Sequence, residues 1–153
     1  MAQAVNASSA LSLDNEVLRS LLFYCSILVL KMMFMSILTV SKRLKHKAFV
    51  NPEDAKLQNL KLQQNENVER VRRAHLNDIE NIPLFFMIGL IYTLTNPAVY
   101  FAKALFLAYT LARICHTVVY AVVPIPQPAR MLCFMFGYGI TGYMGVASLL
   151  TFK

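Results

Sequence analysis

Three cysteines, Cys25, Cys115 and Cys133, are the whole thiol inventory of this chain, and they stand far apart in apolar surroundings. They form no CxxC pair and no disulfide framework, so each reads as a buried structural thiol. Catalytic signatures are missing as well: there is no HExxH, no GxSxG, no phosphate-cradling glycine loop and no Cys/His group at metal spacing. Neither a resident metal nor a nucleophile supplied by the protein is expected. Charge is sparse, at 15% of 153 residues, and acidic side chains number 8 against 15 Lys and Arg. Internal repeats and low-complexity tracts are absent, and no stretch is left over for a soluble domain. A cleaved leader is not expected either. Asp14 and Glu16 precede the apolar run Leu21–Leu30, Arg19 is the one basic residue before it, and no small-residue cleavage site follows before Lys31.

What the chain has in excess is apolar length. Hydrophobic residues make up 57% of it, too many for an ordinary soluble domain of this size. Val17–Val40, Ile79–Leu94, Ala98–Val123 and Met131–Phe152 stand out. Crossing a bilayer takes about 20 such residues. The second run is short and must borrow turns from the polar helix before it. The expected fold is therefore all-α: an integral membrane four-helix bundle running up-down-up-down as one domain over residues 1–153. Its spans fall near 14–42, 70–95, 98–123 and 128–151, with a loop at 43–69. Lys42, Arg43, Lys45, Lys47, Lys56, Lys61, Arg70, Arg72 and Arg73 crowd into and around that loop. By the positive-inside rule it should be cytosolic, leaving both termini lumenal. Nucleic acid is not an expected partner, because no fold is there to present the basic cluster. Asn51-Pro52 should break the extension of the first helix, Leu57–Asn67 reads as a polar linker, and Thr95-Asn96-Pro97 as a tight turn. Pro124–Pro128 forms a stiff connection, and Pro83 should kink the second helix.

The segment ERVRRAHLNDIE (Glu69–Glu80) runs unbroken into apolar sequence. At helical geometry Glu69, Arg73, Asn77 and Glu80 fall within roughly 80° of arc, a polar stripe at the mouth of a span. A solvated helix end beside headgroups has the same spacing. In an up-down-up-down path, however, Arg43, the Arg72–Glu80 segment with His75, the group Arg113, His116, Thr117 and Tyr120, and Arg130 all reach one membrane face. The third-helix group spans about 100° of arc. His116 alone would read as a packing histidine, Tyr120 as an interface aromatic, and Lys31 and Lys103 as snorkelling or structural. Arg113, deep in an apolar helix, demands a partner; Glu80 is expected in that role, with Asp78 on the opposite face of its helix. Several arginines with one or two carboxylates suit a ligand that has carboxylates and an ammonium and brings its own nucleophile. Glutathione fits, and a guanidinium or tyrosine hydroxyl near its sulfur would favour the reactive thiolate.

KAFVNPEDA (Lys47–Ala55), VERVRRAHLNDIENI (Val68–Ile82), LARICHTVVY (Leu111–Tyr120) and PQPAR (Pro126–Arg130) resemble the microsomal glutathione transferases of the MAPEG family. RRAHLNDIEN followed by PQPxR is similar to the microsomal glutathione S-transferase 1 group within it. The resemblance implies a homotrimer in the endoplasmic reticulum or outer mitochondrial membrane, with glutathione bound between subunits near the cytosolic face. By motif it gives Arg43, Arg72, Arg73, His75, Asn77, Glu80, Arg113, His116 and Tyr120 as glutathione-binding positions and Arg130 as the catalytic arginine that stabilises the thiolate. It also implies hydrophobic electrophiles or lipid hydroperoxides as second substrates.

Two departures bear on activity. Ala55 stands where the mammalian liver enzyme has a cysteine whose modification activates it. The prostaglandin E synthase branch has Arg and Ser where this chain has Leu76 and Met131, which argues against isomerase chemistry. The expected function is a membrane-bound glutathione transferase with accompanying lipid hydroperoxide reduction. The alternatives are a prostaglandin E synthase-type isomerase, a non-catalytic lipid-binding scaffold of the same fold, and a small channel, for which no pore-lining repeat is visible.

Overall fold

The computed structural model describes residues 10–153, so the expected lumenal N-terminus, at residues 1–9, lies outside the described residues. Helix α1 spans Glu16–His46, α2 Pro52–Leu57, α3 Glu66–Leu94, α4 Val99–Thr117 and α5 Ala129–Phe152. Among the described residues there is no strand, only an isolated bridge between Phe49 and Leu62. Local chemistry explains the boundaries. The Asn15 side chain accepts from the Val17 amide at 2.9 Å and so caps α1, while Asn65 accepts from the Asn67 amide at 2.9 Å and caps α3. Lys47 closes α1 in a left-handed conformation, φ 50°, its amide turned back to the last carbonyls. Pro52 opens α2 at a position where its missing N–H costs nothing.

Helix α1 extends to His46 and α2 occupies Pro52–Leu57, both within the expected 43–69 loop, and α3 already begins at Glu66, inside the expected Leu57–Asn67 linker. Helix α3 then runs through Pro83 as one element, and α4 continues into a π-helical turn, Val118–Val122, before the proline-rich connection.

The four long helices pack in the ring order α1, α3, α5, α4, with α3 and α4 also touching across the ring. Leu21 and Leu28 of α1 meet Ile82, Phe85 and Tyr92 of α3, Phe106 and Tyr109 of α4, and Ile140 and Met144 of α5, while Met35, seven residues on from Leu28, packs in a second cluster with Val71, Ala74 and Ala121. Phe85 and Tyr109 stack at 3.9 Å with planes 2° apart. At Gly89 a Cβ would come within 2.6 Å of a Leu21 methyl, so the absent side chain makes room for Leu21 of α1 against α3.

Polarity is arranged inversely to a soluble protein. Leu22, Phe23, Leu30, Met33, Ile37, Leu84, Met87, Tyr100, Met135, Phe136 and Leu149 are exposed, whereas Asp78, Thr110, Arg113, His116 and Thr117 are buried. A hydrocarbon surround explains this, since polar groups there must find partners inside the protein. Three described helices, Glu16–His46, Val99–Val122 and Ala129–Phe152, are long and apolar enough to cross a membrane. Helix α3 falls short of that composition because its first half is the charged segment.

Candidate functional site

Helix α3 divides the polar residues at its N-terminal half between two clefts. The first, about 510 Å³, lies between α1 and α3 and is lined by Arg43, Arg72, Arg73 and His75, with Ser36, Thr39 and Glu69. The second, about 400 Å³, lies against α4 and α5 and is lined by Arg73, Asn77, Glu80, His116, Tyr120 and Arg130, with Gln127, Met131 and Phe134. Arg73 and Leu76 line both and form the ridge between them. The expected stripe is thus split: Glu69 faces the first cleft, Asn77 and Glu80 the second, and Arg73 stands on the divide.

Within the second cleft the Arg130 guanidinium lies 4.2 Å from the centre of the Tyr120 ring, a cation–π contact. The His116 ring meets Tyr120 edge-on at 5.6 Å. Arg73 Nε donates to the Tyr120 hydroxyl at 3.4 Å. The π-helical turn holds Tyr120 at the rim while Ala121 goes inside; such turns reset the face a helix presents and are frequent at functional sites. At the exposed end of α3, Arg72 forks onto both Glu69 oxygens at 2.9 and 2.7 Å, and Arg73 Nη2 pairs with Glu66 at 2.5 Å.

Arg113 is not paired with Glu80. Only 1% exposed, it donates through Nη2 to Asp78 Oδ1 at 2.5 Å and to Asn77 Oδ1 at 2.8 Å. Asp78, with no exposure, receives Lys31 of α1 on its other oxygen. The physical reason is rotation. Residues 78 and 80 differ by about 200° around a helix, and the face carrying Asp78 is the one packed into the bundle. Glu80 is exposed and turned to the cleft instead. Lys31 is thereby structural and not snorkelling, and Lys103 pairs with Glu16 at 2.7 Å near the other end of the bundle.

Nine of the ten residues expected from sequence line one cleft or the other, and the tenth, Arg113, lies directly behind Asn77. Sequence reasoning missed Asp78 as the anchor of the buried charges. It also missed Gln127, which lines the second cleft and accepts from the Met131 amide at 3.3 Å at the start of α5. The available signal for Asp78 was Lys31, a cation in an apolar run that needed a carboxylate as much as Arg113 did. Among the described residues no group of three or more His, Cys, Asp or Glu is arranged to hold a metal ion.

The MAPEG family model matches residues 21–150. Microsomal glutathione S-transferase 1 of Rattus norvegicus is 49% identical over 135 residues, covering 84% of this chain and 86% of its own length. The Homo sapiens protein of the same name is 47% identical over the same coverage. Prostaglandin E synthase of Bos taurus is 39% identical over 124 residues, 80% of each chain. The chain belongs to the MAPEG family.

Proposed function

We propose that this MAPEG protein is an integral membrane glutathione transferase that joins the thiolate of glutathione to hydrophobic electrophiles partitioning into the bilayer. The observation behind this reading is the pair of clefts on α3. Four arginines, Arg43, Arg72, Arg73 and Arg130, line them together with Glu80 and Tyr120, and no cysteine is among the lining residues. A ligand with two carboxylates, one ammonium and a thiol satisfies that set. Arg43, Arg72 and Arg73 would take the carboxylates, Glu80 the ammonium, and His75, Asn77, Arg113 and His116 would orient the backbone of the tripeptide directly or through a neighbour. Arg130, held against Tyr120, would stabilise the sulfur anion. Catalysis of this kind is orientation and preorganised charge, with no covalent enzyme intermediate. Reduction of a lipid hydroperoxide to its alcohol, two glutathiones becoming the disulfide with loss of water, would use the same thiolate.

The division of the ligands supports a site shared between neighbouring copies, as in the homotrimer that the family resemblance implies. A single chain leaves Arg43 and Arg130 in different clefts, each open to the outside of the bundle. A neighbouring copy presenting its second cleft to the first would enclose the ligand with both sets. The four long helices would span the endoplasmic reticulum membrane, and by extension the outer mitochondrial membrane, in alternating directions as one domain. The basic loop and the glutathione site would lie on the cytosolic side, with both termini lumenal. Leu76 and Met131, the two departures from the prostaglandin E synthase branch, both line the second cleft. That favours conjugation over isomerisation.

The test is turnover of detergent-purified protein with glutathione and 1-chloro-2,4-dinitrobenzene. Sulfur attacks the chlorine-bearing carbon and chloride leaves, giving a thioether followed by its absorbance. Saturable turnover is expected. Absence of both turnover and glutathione binding would overturn the assignment.

A further inference from the structure

Behind the second cleft lies a buried chain of charged and polar side chains. It runs Lys31, Asp78, Arg113, Asn77, and only the last member faces the cleft. Arginine has donors and no acceptor, so the Asn77 atom that meets Arg113 Nη2 at 2.8 Å is the side-chain oxygen. With its oxygen turned to Arg113, the two donors of the Asn77 amide NH2 are left for a ligand. Arg113 is in turn pinned by Asp78 Oδ1 at 2.5 Å. Asp78 is pinned by Lys31, which holds the other carboxylate oxygen from a different helix and so prevents the carboxylate from turning away.

We propose that Lys31 and Asp78 are positioning residues that, through Arg113, lock Asn77 with its amide NH2 toward the second cleft. A ligand acceptor, a carboxylate or a peptide carbonyl, is thereby favoured there. Without the lock the Asn77 amide could turn over and present an acceptor of its own. The inference rests on glutathione being the ligand of the second cleft. Two cations share one carboxylate in this chain, so the surplus positive charge behind Asn77 acts in the same direction, favouring electron-rich groups at that wall.

The test is a double-mutant cycle on the full chain in detergent, reading the glutathione Kd by equilibrium dialysis for wild type, Asp78→Asn, Asn77→Ala and the double variant. Asp78→Asn is expected to weaken binding about tenfold in the wild-type background, the scale of one hydrogen bond lost and one acceptor misdirected. In the Asn77→Ala background the same change should weaken it less than about twofold, because the group through which Asp78 acts is gone. An equal loss in both backgrounds would show a general packing role and overturn the proposal. If Asp78→Asn does not yield folded protein, Lys31→Gln runs the same cycle, and Lys31→Arg, which keeps the cation, should retain wild-type affinity. Wild type that binds no glutathione would sink the functional assignment, whereas wild type that binds without coupling would sink only the positioning role.

Discussion

Helix α3 holds charges in two environments a few turns apart, and the contrast separates structure from ligand readiness. Near its N-terminus, Arg72 pairs with Glu69 and Arg73 with Glu66 where the side chains remain 25% to 65% exposed. Further along, Asp78 holds Lys31 and Arg113 with side-chain exposures of 0%, 9% and 1%. Exposed pairs contribute about 0–1 kcal/mol, so a carboxylate ligand can displace their partners at little cost. A buried set cannot exchange in that way. Removing one member leaves an uncompensated charge, a loss of about 3–5 kcal/mol. The outer pairs are therefore suited to open for a substrate, and the inner set to hold the helices that frame it.

The sharpest way to break this contrast is to delete the inner carboxylate. Asp78→Asn should lower stability by about 3–5 kcal/mol, because two buried cations lose their counter-charge. Glu69→Gln, in the outer set, should change it by less than about 1 kcal/mol. Thermal denaturation of both variants in detergent measures the difference, and equal losses would erase the distinction.

Arg130→Leu tests the catalytic role proposed for the Arg130 end of the second cleft. Turnover should fall by about one to three orders of magnitude, the scale of removing one preorganised charge, while glutathione affinity stays near wild type. Unimpaired turnover would remove Arg130 from the chemistry. Glu80→Gln sharpens the comparison from the other side. Since Arg113 relies on Asp78 and not on Glu80, the variant should keep its melting temperature and weaken glutathione binding about tenfold, a loss of about 1.4 kcal/mol. A fall in stability without a change in affinity would return Glu80 to a structural role.

The smallest perturbation probes orientation alone. Asn59 and Asn96 have positive φ, at 51° and 53°, and resist replacement, so single cysteines belong at Gln58 and Ala98 in a variant lacking Cys25, Cys115 and Cys133. An impermeant maleimide should label the first in sealed, cytosol-facing microsomes and the second only after permeabilisation. The opposite pattern would place the charged end of α3 in the lumen.

How much of this was legible in the residues differs from one charge to the next. Arg113 announced itself, because a guanidinium after a long apolar run has few tolerable environments. Its partner was misassigned to Glu80 because sequence spacing ranks residues by depth and does not say which side of a helix faces its neighbours. In a soluble protein the apolar stripe would have told inside from outside. Here Leu84 and Met87 on the exterior are as apolar as Ile82 and Phe85 in the core, so that signal is missing. The stripe of Glu69, Arg73, Asn77 and Glu80, read from spacing as one face, is divided between two clefts, because Arg73 and Leu76 form a ridge that only side-chain packing creates.

The sequence by itself determined the helices, their apolar lengths and the gathering of basic groups toward one end of the bundle, since these follow from local hydropathy, caps and charge. Tertiary structure alone decided which carboxylate faces inward, how Lys31 of α1 reaches Asp78 of α3, and that Asn77 gives its oxygen to Arg113. Those outcomes depend on the rotation of each helix against its neighbours. Rotation is set by contacts such as Leu21 on Gly89 and Phe85 on Tyr109, between residues far apart in the chain.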